Sequence, residues 1–165
     1  MRLYVMRHGV AIDATDPQSP PDPERYLTPK GIAKTREAAQ GLAQMGVAPG
    51  VWLTSPYRRA VQTAEVVAGV LKFPAEKIRQ TAALKPSAPP AAFFEELARL
   101  RAREVIVFGH APNVDLVVAL ALGSREALTS LKKAGVALVE LDAPAPGRGS
   151  LVWLLPPKAL RLLGE

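Results

Sequence analysis

The chain has two histidines, and each stands at the end of an apolar run. His8 follows "RLYVM", with Arg7 before it and Gly9 after it, in the stretch "LYVMRHGVAI". His110 follows "EVIVFG" directly. A third run, "VWLTS", leads into Ser55-Pro56-Tyr57-Arg58-Arg59. If these runs are adjacent parallel strands, two imidazoles and at least two guanidiniums meet at one sheet edge, where open α/β sheets bind ligands. That set suits a phosphoryl group. Its oxygens need donors and positive charge, which arginine supplies as a bidentate fork. Helix N-termini after the strands add backbone donors, and Gly9 permits close approach of the backbone. A neutral imidazole attacks phosphorus, and water can then cleave the phosphohistidine formed. Flanking arginines are expected to depress the pKa of His8 and keep it neutral near pH 7.

Other readings of the same residues are weaker. A metal site needs more ligands than two imidazoles, and neighbouring arginines repel a cation. A lone histidine at a strand end reads as a hydrogen-bonded core residue. Two of them, both beside arginines, fit that description poorly. Ser55 precedes a proline and reads as a strand-end cap, without a convincing Ser/His/Asp order. "GHAPN" has one glycine and no following Lys-Ser/Thr pair, so it is not a phosphate-binding P-loop. With no cysteine, disulfides, thiolate metal sites and a cysteine nucleophile are excluded.

The bulk properties set the frame. At 165 residues, 48% hydrophobic and 22% charged, the chain reads as one globular domain spanning residues 1–165. No apolar run approaches the roughly 20 residues that cross a bilayer. The N-terminus lacks a secretory pattern, so a cytoplasmic location is the default. The net charge of +6 reads as a solvated basic surface or as a surface suited to an anionic ligand. Nucleic acid is disfavoured, because aromatics are 5% and the basic residues are scattered singly or in pairs. No cofactor, metal or membrane partner is expected, and the oligomeric state is not legible.

The elements that must position these side chains follow from periodicity and punctuation. Residues 2–6 and 51–55 read as strands, and 104–109 as one buried on both faces. Thr28-Pro29 is an N-cap followed by proline at the first helical position, opening a helix to about Met45 with Ile32, Ala39, Leu42 and Ala43 inward. A second helix runs from Pro56 to about Leu71, with Val61, Ala64, Val67, Ala68 and Leu71 at helical spacing. "SAPPAAFFEELARLRA" enters a third, in which Glu95 and Glu96 read as solvated face. Residues 113–122 form another helix. "AGVALVELD" and "SLVWLLP" pair as an antiparallel hairpin across "APAPGRG", and "KALRLLG" is a closing helix. Residues 13–29 are a long loop, poor in periodicity. The fold class is α/β: a three-layer α/β/α sandwich with a mostly parallel sheet and an antiparallel edge.

Three motifs together, "MRHG", "SPYRRAVQTAE" and "VIVFGHAPNVD", resemble the histidine phosphatase superfamily, also called phosphoglycerate mutase-like. Their order spans most of the chain. The resemblance implies a metal-independent phosphatase. In it His8 is the phosphorylated nucleophile, Arg7 its pocket partner, Arg59 the arginine that precedes alanine in the second motif, and His110 the second pocket histidine. Gly9 and Asn113 are carried over as phosphate-binding positions, whereas Arg58 reads as solvent-facing. The short length, "LTPKG" and "SLKKAGVALVEL" are most similar to the phosphohistidine phosphatase (SixA) type. Mutases and sugar bisphosphatases are usually longer, with an inserted region that holds a catalytic Glu. The partner implied is a phosphorylated substrate: phosphohistidine on a signalling protein, or alternatively a small phosphomonoester. A non-catalytic phosphate- or phosphoprotein-binding module is the third possibility. Where many relatives carry an acidic residue after "RHG", this chain has Val10. Asp13 is the nearest candidate acid, with Asp16 and Asp22 weaker ones, each equally readable as a loop-capping residue. A nitrogen leaving group, which protonates readily, lowers the demand for such an acid.

Overall fold

A computed structural model describes residues 1–165. The chain runs β1 (Arg2–Arg7), α1 (Pro29–Gln44), β2 (Val51–Thr54), α2 (Arg58–Leu71), β3 (Arg79–Gln80), α3 (Pro90–Leu97), β4 (Glu104–Gly109), α4 (Asn113–Ala121), β5 (Val136–Leu141), β6 (Gly149–Leu155) and α5 (Pro157–Gly164). Short 3₁₀ turns lie at Asp22–Glu24, Ala75–Lys77 and Ala82–Leu84. The sheet order is β3-β2-β4-β1-β5-β6. β3, β2, β4 and β1 are mutually parallel, while β5 and β6 form the antiparallel edge.

Both faces of the sheet are buried, which is why β1 and β4 are continuous apolar runs. Leu3, Val5, Leu53, Val105 and Val107 pack on Phe93, Phe94 and Leu97 of α3 and on Val114, Val117 and Val118 of α4. On the opposite face Tyr4, Met6, Trp52, Ile106 and Phe108 pack on Ala38, Ala39 and Leu42 of α1, Ala64 and Val67 of α2, and Leu160 of α5. The result is the three-layer sandwich, and no helix is long and apolar enough to cross a membrane.

The helix starts follow their chemistry. Thr28 caps α1, accepting from the Gly31 amide at 3.0 Å, and its own amide donates to the Val10 carbonyl at 3.0 Å. A Cβ at Gly31 would lie 2.0 Å from the Val10 oxygen, so only glycine lets α1 begin against the chain leaving β1. The buried side of α1 is Gly31, Thr35, Ala38, Ala39, Gly41 and Leu42. Ala43 is exposed and Ile32 only half-buried, because both flank the helical stripe of Gly31, Thr35, Ala38 and Leu42 that faces inward. α2 begins at Arg58, two residues later than the proline suggested. Tyr57 is extended, and its amide is taken by Ser55 Oγ at 3.2 Å. α3 is confined to Pro90–Leu97. Glu95 is exposed as expected, but Glu96 is half-buried and its carboxylate accepts from Thr81 Oγ1.

Candidate active site

Pairing alone brings the three motifs together. β4 lies between β1 and β2, with Arg7 opposite Gly109 and Thr54 opposite Phe108. The ladder continues one residue further on each side: the His8 amide donates to the Gly109 carbonyl and the Ser55 amide to the Phe108 carbonyl, both at 2.9 Å. His8, Ser55 and His110 therefore leave one sheet edge side by side.

His8 is 6% exposed. Its Nδ1 lies 2.6 Å from the Gly9 carbonyl oxygen, which can only accept, so Nδ1 carries the proton. Nε2 then presents its lone pair, facing Arg59 Nε at 3.4 Å. Burial is the main force lowering the pKa of His8, to about 3. The Gly9 bond opposes it, and the charges of Arg59, Arg7 and Lys133 add to it. Neutrality is thus a result of desolvation first and of the arginines second.

Arg59, 3% exposed, is the first-turn residue of α2 that points back at His8. Its remaining nitrogens reach across to the 13–29 loop: Nη1 donates to the Asp22 carbonyl at 2.7 Å and Nη2 meets Asp22 Oδ2 at 3.4 Å. Arg25 binds the other oxygen of the same carboxylate at 2.9 Å and the Ile12 carbonyl at 2.9 Å. Burial pushes the Asp22 carboxyl up, but the Arg25 bond and the Arg59 and Arg25 charges outweigh it and leave the carboxyl below its ordinary value.

His110, 2% exposed, packs its ring 5.1 Å from that of His8. Nε2 lies 2.8 Å from Ser55 Oγ, and Nδ1 is buried with no partner. Burial, with His8, Arg59, Arg25 and Arg7 adding to it, pushes its pKa down to about 2. The Tyr57 ring stands edge-on to His110 and beneath the Arg59 guanidinium. Arg7 reaches the Leu131 carbonyl through Nη1 at 2.9 Å and keeps a buried, unpartnered Nε. Leu131 is itself fixed, its amide donating to Asp115 Oδ1 at 2.9 Å.

The structure thus gathers Arg7, His8, Arg59 and His110. The other candidates sit differently. The Gly9 amide is already engaged by Thr63 Oγ1 at 3.0 Å, and a Cβ there would lie 2.3 Å from Thr35 Oγ1. The absent side chain therefore makes room for α1. Asn113 uses its amide on the Ala88 and Ala83 carbonyls, at 2.8 and 3.3 Å, leaving Oδ1 without a partner. Asp13 is exposed and closes a local turn onto the amide and hydroxyl of Thr15, which hold its pKa below normal. Arg58 is exposed, 5.9 Å from the centre of the Tyr26 ring.

Comparison with known proteins identifies the family and the fold. The model of the histidine phosphatase superfamily (branch 1) matches residues 3–85. The chain belongs to this superfamily. Its fold is that of the phosphoglycerate mutase-like members. It is 30% identical over 165 residues to the phosphohistidine phosphatase SixA of Escherichia coli, covering 98% of each chain. An uncharacterized protein of Picosynechococcus is 37% identical over 140 residues, 82% of each chain. The solved structure of the protein histidine phosphatase SixA complexed with tungstate superposes with a TM-score of 0.84 at 30% identity, covering 97% of this chain and 99% of that one.

Sequence reasoning about this histidine phosphatase missed Arg25 and the tie from Asp22 to Arg59. Both lie in a loop without periodicity, and only the fold brings them beside α2. The "SLKKAG" segment did hold a signal, since Lys133 adds its charge at His8.

Proposed function

We propose that the chain is a metal-independent phosphatase that forms a phosphorylated His8 and takes phosphohistidine on a protein as its substrate. One observation carries the mechanism: a buried, neutral His8 whose Nδ1–H is fixed on the Gly9 carbonyl, leaving Nε2 unprotonated, its lone pair met only by a long 3.4 Å bond donated by Arg59 Nε. Nε2 attacks phosphorus, the bond from phosphorus to the substrate nitrogen breaks, and the substrate imidazole leaves neutral, having carried its own proton. Water then attacks the phosphorus on His8, the P–Nε2 bond breaks, and neutral His8 returns. Arg7, Arg59 and His110 supply charge and donors to the oxygens in both steps, where such preorganised groups act most strongly.

The carboxylates support this substrate class. Asp22, which contacts Arg59, and Asp13, further along the chain from His8, are both held below their ordinary pKa values. They are poor proton donors at neutral pH, which suits a nitrogen leaving group better than an alkoxide. Full-length similarity to a phosphohistidine phosphatase supports the same choice, and the likeness to a structure holding tungstate, a tetrahedral oxyanion, supports a phosphoryl site.

Two assays test this reading. Acid-labile phosphate should appear on His8 in mass spectra of enzyme mixed briefly with phosphorylated protein. Turnover should also be greater with a phosphohistidine protein than with a panel of small phosphoesters. Preference for the esters would move the assignment to a phosphomonoesterase, and absence of both adduct and turnover would leave only a binding module.

Asp22 offers a separate check. Its carboxylate holds the Arg59 nitrogen that a phosphoryl oxygen would use. Asp22→Asn removes a negative charge and keeps a polar group, so inorganic phosphate should bind about 3- to 10-fold more tightly. Isothermal titration measures this, and unchanged or weaker binding would refute it.

A further inference from the structure

Ser55 leaves β2 fully buried, and hydrogen-bond accounting around it fixes the state of the second histidine. The Tyr57 amide can only donate, and it does so to Ser55 Oγ at 3.2 Å. The hydroxyl hydrogen then has one partner, His110 Nε2 at 2.8 Å. Were Nε2 protonated, two buried groups would lack a partner, the Ser55 hydroxyl hydrogen and the Nδ1 lone pair, whereas with Nδ1 protonated only the Nδ1–H lacks one. An unmade bond of this kind is among the costlier defects of a protein interior. With Ser55 donating, Nε2 is the acceptor, and the single proton of the neutral ring lies on Nδ1. Nδ1 is the buried ring atom that has no partner in the ligand-free protein.

From these contacts we infer that Ser55 is a positioning residue, which holds His110 in its Nδ1–H form so that the second imidazole meets a phosphoryl oxygen as a hydrogen-bond donor. In the opposite tautomer the ring would turn a lone pair toward an anion, and repulsion would replace a bond. The role of the donor rests on the phosphatase reading above, but the tautomer does not. Nothing in the sequence motif demanded this, since a serine before proline is explained equally well as a strand-end cap.

Long-range proton–nitrogen NMR of the histidine-labelled, ligand-free protein near pH 7.5 tests the tautomer directly. The two imidazoles make the spectrum simple, and His8→Asn assigns it. His110 should be protonated at Nδ1 in the native protein. Ser55→Ala should shift it toward Nε2–H, weaken inorganic phosphate binding about 10-fold and lower kcat/KM about 10- to 100-fold, the loss of one donor to a charged group. Ser55→Thr, which keeps the hydroxyl, should restore the Nδ1–H form and most of the affinity. An Nε2–H ring in the native protein overturns the inference whatever the variants do. So does a Ser55→Ala protein with native tautomer and native phosphate affinity. Because the tautomer is read without substrate, failure of the phospho-His8 assay would strike the proposed function and leave this result standing.

Discussion

His8→Ala is expected to lower kcat/KM by at least about 10⁴-fold while inorganic phosphate still binds within a few-fold of the native affinity. The size follows from what is lost. The proposed reaction has two chemical steps, and Nε2 of His8 is the atom bonded to phosphorus between them. Arg7, Arg59 and His110 remain, each held by contacts independent of the His8 ring: the Leu131 carbonyl, Asp22 and Ser55. The anion site should therefore survive the loss of the nucleophile. Removing the imidazole also leaves the Gly9 carbonyl without its 2.6 Å partner, a cost of about 1–3 kcal/mol in stability. Circular dichroism and phosphate titration then separate a folded, binding, inactive variant from a damaged one. Retention of more than about a tenth of native turnover by a folded His8→Ala protein would exclude His8 as nucleophile.

The split between retained binding and lost chemistry reflects how the site is built. Backbone pairing of β1, β4 and β2 places the imidazoles, whereas contacts from two other regions, the segment at Leu131 and the 13–29 loop, aim the guanidiniums. Arg7 is oriented by Leu131, whose amide is anchored by Asp115 of α4. Arg59 is oriented by Asp22, which is in turn held by Arg25. Asn113 pins the loop around Ala83 and Ala88 beside the start of α4. The loop of residues 13–29 is thus tied to the cluster around His8 through Asp22 and Arg25.

What could be read from the sequence divides along the same line. Strands ending in His8, Ser55 and His110 were legible because buried parallel strands are short, apolar and bounded by polar residues. Parallel pairing then forces their ends together, and the four central residues follow. The motif resemblance distinguished Arg59 from Arg58, which periodicity could not do. Helix ends were legible where a local rule operates, as at Thr28-Pro29. They were misplaced where a tertiary contact overrides it, as at Pro56-Tyr57, where Ser55 Oγ takes the Tyr57 amide. The inward face of α1 was misjudged at Ala43, since the stripe that packs inward runs through Gly31, Thr35, Ala38 and Leu42, and glycine and threonine on it carry no apolar signal. The 13–29 loop offered Asp13, Asp16 and Asp22 as candidate acids but no sign of the tie to Arg59, because an Asp-Arg pair three residues apart, Asp22 and Arg25, is indistinguishable in sequence from a surface ion pair. The pKa argument reached the right direction for the wrong leading reason: burial outranks the arginines at His8.

That ranking carries the second large expectation, a steep loss of stability in mild acid. His8 and His110 are pushed from an ordinary 6.5 down to about 3 and about 2, both mainly by burial. In the unfolded chain both titrate near their ordinary value, so as the pH falls below 6.5 the unfolded state takes up two protons that the folded state refuses. The state binding more protons gains as pH drops. Stability is therefore highest above pH 6.5 and declines toward pH 3, with a slope of up to about 2.7 kcal/mol per pH unit when both sites contribute fully. Against the 5–15 kcal/mol typical of a domain (about 10 kcal/mol as a midpoint), a fall of roughly 4 kcal/mol between pH 6 and pH 4.5 is large. Urea unfolding at pH 7, 6, 5 and 4.5 should show this decline, and replacing both histidines by asparagine should flatten it. A native curve that is level from pH 7 to pH 5 would mean that the imidazoles are open to protonation in the folded protein. In that case Nε2 of His8 would lose its lone pair near neutrality. The expected acid lability and the proposed nucleophile share one physical cause, the exclusion of water from two imidazoles.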